Sequence, residues 1–204
     1  MHQSLFKDGV NAFFDPDDPD GYELSKIAKH YIAGLLKYAP EFCAVTNQYV
    51  NSYKRLVSGY EAPVYVTWAR RNRSALVRIP LYKPGKESAT RIELRNPDPA
   101  ANPYLAFAVM LGAGLKGIED ELELPAEASS DIFKMSAEEL REAGIRTLPG
   151  DLGEAIDLFE PSELMKEILG EHIHEYYVRN KRAEWNAYRS YVSRWELERY
   201  LSVL

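Results

Sequence analysis

The chain has 204 residues, 46% hydrophobic and 12% aromatic, so it can bury a core and is too apolar to be disordered. The net charge of -6 argues against a general nucleic-acid surface, which needs a basic patch to displace counterions. The single cysteine, Cys43, excludes an internal disulfide and suits a reducing cytosol. The longest apolar run, 104–111, is too short to span a membrane, and the first residues lack a signal-peptide pattern. We therefore expect a cytoplasmic protein.

The first third of the chain predicts a loop and then helices. Residues 5–21 are rich in Asp, Pro and Gly and indicate a loop or irregular hairpin around an Asp-Gly pair. Apolar residues recur at helical spacing over 24–36, and Pro40 is predicted to end this helix. A shorter helix is expected from Glu41 and another around 47–56. Apolar neighbours make Cys43 a buried structural thiol.

The middle of the chain predicts a sheet. Residues 64–69 and 75–79 alternate as strands do, and a turn at 83–86 leads to a third strand at 90–95. Because the connections are short, we predict an antiparallel meander. With the surrounding helices this gives an α+β fold, an antiparallel sheet flanked by helices.

The third predicted strand has a charged side. Arg91, Glu93 and Arg95 alternate with apolar positions and would share one face. One explanation is a solvated sheet face with mixed charges. The other is a cleft floor in which the carboxylate holds a metal and the guanidinium groups hold phosphate or carboxylate. Alternation alone leaves both open.

The last half of the chain predicts helices. Asn102 and Pro103 form a cap and first position for a helix running to about 118. A capping box at Ser136, a possible cap at Asp151 and Pro161 indicate further helix starts. A long helical stretch over 171–192 carries five aromatic rings, which we expect to pack on the domain or on a neighbouring subunit.

Two strings in this half resemble functional motifs. Residues 112–117 match the dinucleotide-binding glycine pattern, but no strand precedes them, so we interpret them as small-residue helix packing. His172 and His174 are two positions apart, which does not place them on one helix face, and we interpret them as surface histidines. Neither string predicts a site.

Three segments carry a family resemblance. They are 51–63 (NSYKRLVSGYEAP), 71–80 (RNRSA followed by RIP) and 91–105 (RIELRNPDPAANPYL). In this order they resemble the glutamate-flap segment, the ATP-site signature and the following segment of type I glutamine synthetases. The resemblance implies a partial glutamine synthetase/guanido kinase-like catalytic fold with long C-terminal helices, in which residues 1–204 form the C-terminal catalytic domain.

The resemblance also implies roles for individual residues. The ATP-binding residues would be His2, Ser4, Arg73, Arg78 and Arg91. The glutamate-binding residues would be Arg55, Glu61, Arg73 and Arg95. The catalytic residues would be Glu61 on the flap, Arg73 and Arg91, and the metal ligand would be Glu93.

The implied reaction is ATP-dependent ligation of ammonia to the γ-carboxylate of L-glutamate through γ-glutamyl phosphate. Both steps gather negative charge on phosphoryl oxygens, which arginines and Mg²⁺ or Mn²⁺ stabilise. The implied partners are these small molecules, with no nucleic acid and no membrane, and either a homo-oligomer or association with an N-terminal half. A γ-glutamyl ligase using another amine, and a noncatalytic or truncated relative, stay open.

Three departures from the family pattern limit these expectations. The family motif around His2 has the form His-x-His-x-Ser, and its first, metal-binding histidine would precede residue 1. The other metal-binding glutamates and the small N-terminal β-grasp domain would also lie upstream, so we expect this chain alone not to turn over. Phe133 stands where adenylylated members carry a tyrosine, so control by adenylylation there is not expected.

Overall fold

The structure is a computed structural model that describes residues 1–58, 62–70, 72, 74–128, 132 and 135–203. The strands in this part are β1 (His2–Gln3), β2 (Phe6–Lys7), β3 (Val10–Asn11), β4 (Tyr65–Ala69), β5 (Ala75–Arg78) and β6 (Ile92–Leu94). The α-helices are α1 (Lys26–Thr46), α2 (Pro103–Glu119), α3 (Ala137–Glu142), α4 (Leu152–Phe159), α5 (Glu163–Leu169), α6 (Glu171–Arg189) and α7 (Arg194–Tyr200). Short 3-10 helices lie at Val50–Lys54 and Glu87–Ala89. Among the described residues, every helix is too short or too polar to serve as a membrane span.

The main sheet has the strand order β1-β6-β5-β4. β6 is antiparallel to both β1 and β5, but β4 and β5 are parallel. The α+β class is confirmed, and the prediction of a wholly antiparallel sheet is wrong. The six peptide steps from Ala69 to Ala75 can span roughly 20 Å, whereas β4 is only about 13 Å long, so an extended connection can return to the start of β4 without a helix.

The N-terminal loop contains the predicted hairpin. β2 and β3 pair antiparallel across Asp8 and Gly9, whose φ angles are 52° and 79°. Two consecutive positive φ angles are typical of a type I′ turn, which matches the twist of the flanking strands. The Asp-Gly pair therefore fixes the hairpin locally.

α1 continues through Pro40, so the prediction that this proline ends the helix is wrong. Proline has no backbone N–H, which leaves the carbonyl of Leu36 without its helical donor. The Arg146 guanidinium fills that role, because its Nη2 donates to Leu36 O at 2.9 Å and to Lys37 O at 3.2 Å. A contact from a distant segment thus satisfies the carbonyl that the proline releases.

α1 and α2 pack at backbone distance through glycines. A Cβ on Gly34 would lie 2.3 Å from Ala113 O and 2.8 Å from Gly117 Cα. A Cβ on Gly114 would meet the Tyr31 ring at 2.1 Å. The interpretation of 112–117 as small-residue helix packing is confirmed.

The C-terminal helices contribute one buried histidine and several exposed rings. His174 is buried and stacks on Phe159 with its Nε2 3.2 Å from Phe159 O, so its prediction as a surface residue is wrong, whereas His172 is exposed. Helical spacing places His174 on the same face as Tyr177, whose hydroxyl donates to Ala44 O.

Cys43 is fully buried, and burial raises the pKa of its thiol to about 12. The predicted structural role of this cysteine is therefore confirmed.

Candidate active site

Three strands place charged residues side by side on one face of the sheet. In the register, Glu93 of β6 lies opposite His2 of β1 on one side and Arg78 of β5 on the other. Its neighbours Ile92 and Leu94 are fully buried on the opposite face. Strand pairing therefore brings together residues that are up to 91 positions apart in sequence.

These side chains are connected to one another. Arg78 Nε donates to Glu93 Oε2 at 2.6 Å, and Glu93 Oε1 lies 4.0 Å from His2 Nε2. Arg91 Nε donates to His2 Nδ1 at 3.2 Å. We call the set His2, Arg78, Arg91 and Glu93 the charged sheet face. The Glu93 side chain is 22% exposed, whereas the side chains of Arg78 and His2 are 36% and 49% exposed, so the carboxylate is partly enclosed and the surrounding groups are open to solvent.

The surroundings of His2 favour its neutral form. Burial lowers the pKa of His2, and Arg91 and Arg78 lower it further, against the opposite influence of Glu93. A neutral imidazole can accept at Nδ1, as the contact from Arg91 requires, and can donate from Nε2 toward Glu93. The face thus combines one carboxylate with two guanidinium groups and a neutral histidine.

The donor atoms do not complete a metal site. Within the described ranges, no cluster of three or more His, Cys, Asp or Glu side chains is close enough to hold an ion. Mg²⁺ requires near-octahedral oxygen coordination. Glu93 offers one carboxylate, and one of its oxygens is already bound by Arg78. The described residues therefore do not fit a metal ion by themselves.

The two arginines expected to bind glutamate flank this face. Arg95 follows Glu93 by two positions, which places it on the same side of the strand, and its Nη1 donates to Ala75 O at 3.3 Å. Arg55 lies just after the 3-10 helix at Val50–Lys54 and donates from Nη2 to Asn96 O. Arg55 also lines a cavity of about 250 Å³.

His2 and Ser4 face a second cavity. It has a volume of about 360 Å³, and Tyr31, Phe107 and Met110 contribute to its wall. Two other predicted site residues, Glu61 and Arg73, lie outside the described residues, as does Phe133.

The structure adds two residues that the sequence did not single out. Asn47 and Asn96 are completely buried and hydrogen-bonded to each other, and the Asn96 carbonyl is the acceptor for Arg55. Thr46 precedes Asn47 and Arg95 precedes Asn96, so neither asparagine directly follows an apolar run, and no local sequence signal marks the pair.

Comparison with known proteins identifies the family. The family model described as "Glutamine synthetase, catalytic domain" matches residues 1–200. The chain belongs to the glutamine synthetase family. It is 53% identical over 202 residues to the glutamine synthetase of Mycolicibacterium smegmatis and 55% identical over 206 residues to that of Methanosarcina mazei. These alignments cover 99% and 100% of the chain but 45% of each relative, so the chain spans less than half of their length.

Solved structures agree with this glutamine synthetase assignment. The chain resembles GmaS without ligand with a TM-score of 0.79 and the GmaS/ADP complex (conformation 1) with a TM-score of 0.82. Sequence identity is 34% in both comparisons. They cover 98% of this chain and 44% and 45% of the respective GmaS chains. The predicted fold family is confirmed.

Proposed function

We propose that the chain supplies the ATP- and glutamate-binding part of an enzyme that ligates ammonia to the γ-carboxylate of L-glutamate through γ-glutamyl phosphate. The observation that carries this proposal is the charged sheet face, where three strands bring two arginines, a histidine and a carboxylate together in a glutamine synthetase-family domain. Clustered guanidinium groups repel one another in the absence of an anion, and phosphoryl oxygens are the anions that this reaction generates.

The arginines have two separate roles in the proposal. Arg78 and Arg91 contact the phosphates of ATP, with His2 and Ser4 on the nucleotide side, and Arg91 also stabilises the transferred phosphoryl group. Arg55 and Arg95 hold the carboxylates of glutamate, for which a planar guanidinium offers paired donors. Glu61 and Arg73 complete the proposed catalytic set, Glu61 on the segment that closes over glutamate and helps deprotonate ammonium.

A divalent metal is part of the proposal, with Glu93 as one ligand. Glu93 would contribute a carboxylate to a Mg²⁺ or Mn²⁺ site that is completed by groups from outside the described residues. The chemistry that such a site would supply is neutralisation of charge on phosphate oxygens. The similarity to the GmaS/ADP complex supports ATP as co-substrate.

Ammonia is the proposed amine because the relatives with the higher sequence identity are named glutamine synthetases. The chain is 49–55% identical to glutamine synthetases, including that of Thermotoga maritima, but 34% identical to the GmaS structures. We also place the reaction in the cytoplasm, where ATP is available and the Cys43 thiol stays reduced.

The proposed enzyme is an assembly, formed by copies of this chain or with an N-terminal half. The segment around α7 exposes large apolar side chains that a partner would cover: Tyr191, Val192, Trp195, Leu197, Tyr200, Leu201 and Val203. Analytical ultracentrifugation of the wild type and a Trp195→Ser/Leu201→Ser variant tests this. If copies of the chain meet at this surface, we expect a smaller species for the variant, and an identical sedimentation coefficient would exclude this surface as the contact between copies.

The proposed activity is tested by complementation. The purified chain is mixed with a separately expressed N-terminal part of the Methanosarcina mazei glutamine synthetase, the part outside the 45% that this chain matches, and glutamine formation is measured with ATP, Mg²⁺, glutamate and ammonium. We expect no turnover by either part alone and ATP-dependent glutamine formation by the mixture. Stable binding of the two parts without glutamine formation would contradict the enzymatic role. Turnover by the chain alone would contradict the expected dependence on other residues.

A further inference from the structure

The orientation of Arg55 depends on a single acceptor in the described part of the chain. Its Nη2 donates to the main-chain carbonyl of Asn96, and its Nε is buried without a hydrogen-bond partner among the described residues. An arginine side chain has several rotatable bonds, so one acceptor fixes its guanidinium only if that acceptor is itself immobile. The orientation of the Arg55 guanidinium therefore depends on the contacts that hold the Asn96 carbonyl.

A buried network holds that carbonyl. Asn47 Nδ2 donates to Asn96 O at 2.9 Å, and Asn96 Nδ2 donates in return to Asn47 Oδ1 at 3.1 Å and to Thr46 Oγ1 at 2.9 Å. The Thr46 hydroxyl itself donates to Asn47 Oδ1 at 3.0 Å. All three residues are completely buried, so water does not compete for these bonds.

The network joins two elements that approach the site from different directions. Asn47 caps the C-terminal end of α1, where its own N–H donates to Cys43 O. Asn96 follows β6, the strand that carries Glu93. Two residues further on, the Asp98 N–H donates to Thr46 O at 3.0 Å, which adds a main-chain link between the same two segments. The Asn96 carbonyl is thereby tied to the most buried helix of the domain.

We propose that Asn47 and Asn96 are positioning residues for glutamate binding: they fix the carbonyl that orients the Arg55 guanidinium toward the substrate. This inference rests on the proposed function, because it needs Arg55 to bind a carboxylate of glutamate. Neither asparagine touches the substrate. Losing one of them leaves Arg55 in place but lets its guanidinium rotate.

Two readouts on the purified chain test this. The first is the dissociation constant for L-glutamate, measured by calorimetry for the wild type, Asn47→Ala and Asn96→Ala. The second is the rotation rate of the Arg55 guanidinium, measured by nitrogen-15 NMR with Arg55→Lys as the assignment control. Tyr177→Phe is the matched control, because it removes a buried hydrogen bond to Ala44 at the same end of α1 without touching Asn96.

We expect both asparagine variants to bind glutamate about fivefold to tenfold more weakly, the equivalent of one lost hydrogen bond. The Arg55 guanidinium should rotate faster in both variants than in the wild type. ATP affinity should stay within twofold in every variant, and Tyr177→Phe should match the wild type in both readouts. Asn96→Ala keeps the carbonyl and is the milder change if Asn47→Ala does not fold.

The outcomes separate this inference from the proposed function. Glutamate affinity and Arg55 rotation equal to those of Tyr177→Phe would overturn the positioning role. If the wild-type chain does not bind glutamate, the proposed glutamate site of the chain fails. The rotation rate then still decides whether the asparagines orient Arg55.

Discussion

The α1–α2 contact and the charged sheet face use opposite physical means to bring distant residues together. At the helix contact, glycines such as Gly34 and Gly117 let backbones touch, and the contact consists of dense packing without charge. At the sheet face, Arg78 and Glu93 meet through strand register, and their charges are only partly enclosed. This difference predicts that substitutions at the α1–α2 contact lower the stability of the fold strongly. Substitutions on the charged sheet face should change the stability little.

The largest expected effect on stability is at the helix contact. Gly34→Val would place a side chain against the Ala113 carbonyl and Gly117 backbone, neither of which can move independently of α2. We expect the free energy of unfolding to fall by about 3 kcal/mol, measured by urea denaturation.

Gly150→Ala is the control for this prediction. A Cβ there meets only Glu154 Oε2, at 3.5 Å, so stability should change by less than about 0.5 kcal/mol. Equal losses for Gly34→Val and Gly150→Ala would break the comparison between the two regions.

Asp18 is a charged group that is buried, unlike those of the charged sheet face, and we expect it to stabilise the fold. Its side chain binds Lys29 and accepts from the N–H groups of Tyr22 and Leu24 at 3.1 Å. Burial acts to raise the pKa of Asp18, but the hydrogen bonds from Lys29, Leu24 and Asp20 prevail and hold it below its usual value. Asp18→Asn should cost about 2 kcal/mol at pH 7, measured by urea denaturation.

The pH dependence of this effect has a definite sign. Because the pKa of Asp18 is lower in the folded state, its stabilisation is present above the ordinary value of 3.8 and is lost as the pH falls through the folded-state pKa. The difference in the free energy of unfolding between the wild type and Asp18→Asn should therefore become smaller below pH 3.8. A difference that stays constant from pH 6 to pH 3 would contradict it.

A smaller loss of stability than at Asp18 is expected at Arg146. Arg146→Met removes the donors to Leu36 O and Lys37 O and should cost about 1 kcal/mol. Pro40→Ala restores a helical N–H for Leu36, so Arg146→Met should cost less in that background. A double-mutant cycle measures this coupling, and strictly additive effects would show that Arg146 does not compensate for the proline.

The sequence allowed prediction wherever the signal was local. The Asp-Gly turn of the β2–β3 hairpin, the Asn102 cap of α2 and the capping box at Ser136 were all predicted, because each depends on residues within a few positions. The glycines of α2 were also read correctly as packing residues, since helical periodicity surrounds them.

Predictions failed where a distant contact decided the outcome. Pro40 does not end α1, because Arg146, 110 positions after Leu36, donates to the Leu36 carbonyl that the proline leaves without a helical donor. His174 is buried because α6 packs on α4, which spacing alone does not show. The juxtaposition of His2, Arg78 and Glu93 followed from the family resemblance, whereas alternation alone favoured a solvated face for Glu93.

The central claim, that the charged sheet face serves the reaction and not the fold, is tested most directly by Glu93→Gln. Complemented turnover and the free energy of unfolding are measured on the same preparation. We predict that turnover falls at least 100-fold, as for the loss of one preorganised electrostatic contact, while stability changes by less than about 1 kcal/mol. Turnover within twofold of the wild type would contradict the claim and leave the face as a solvated charge cluster.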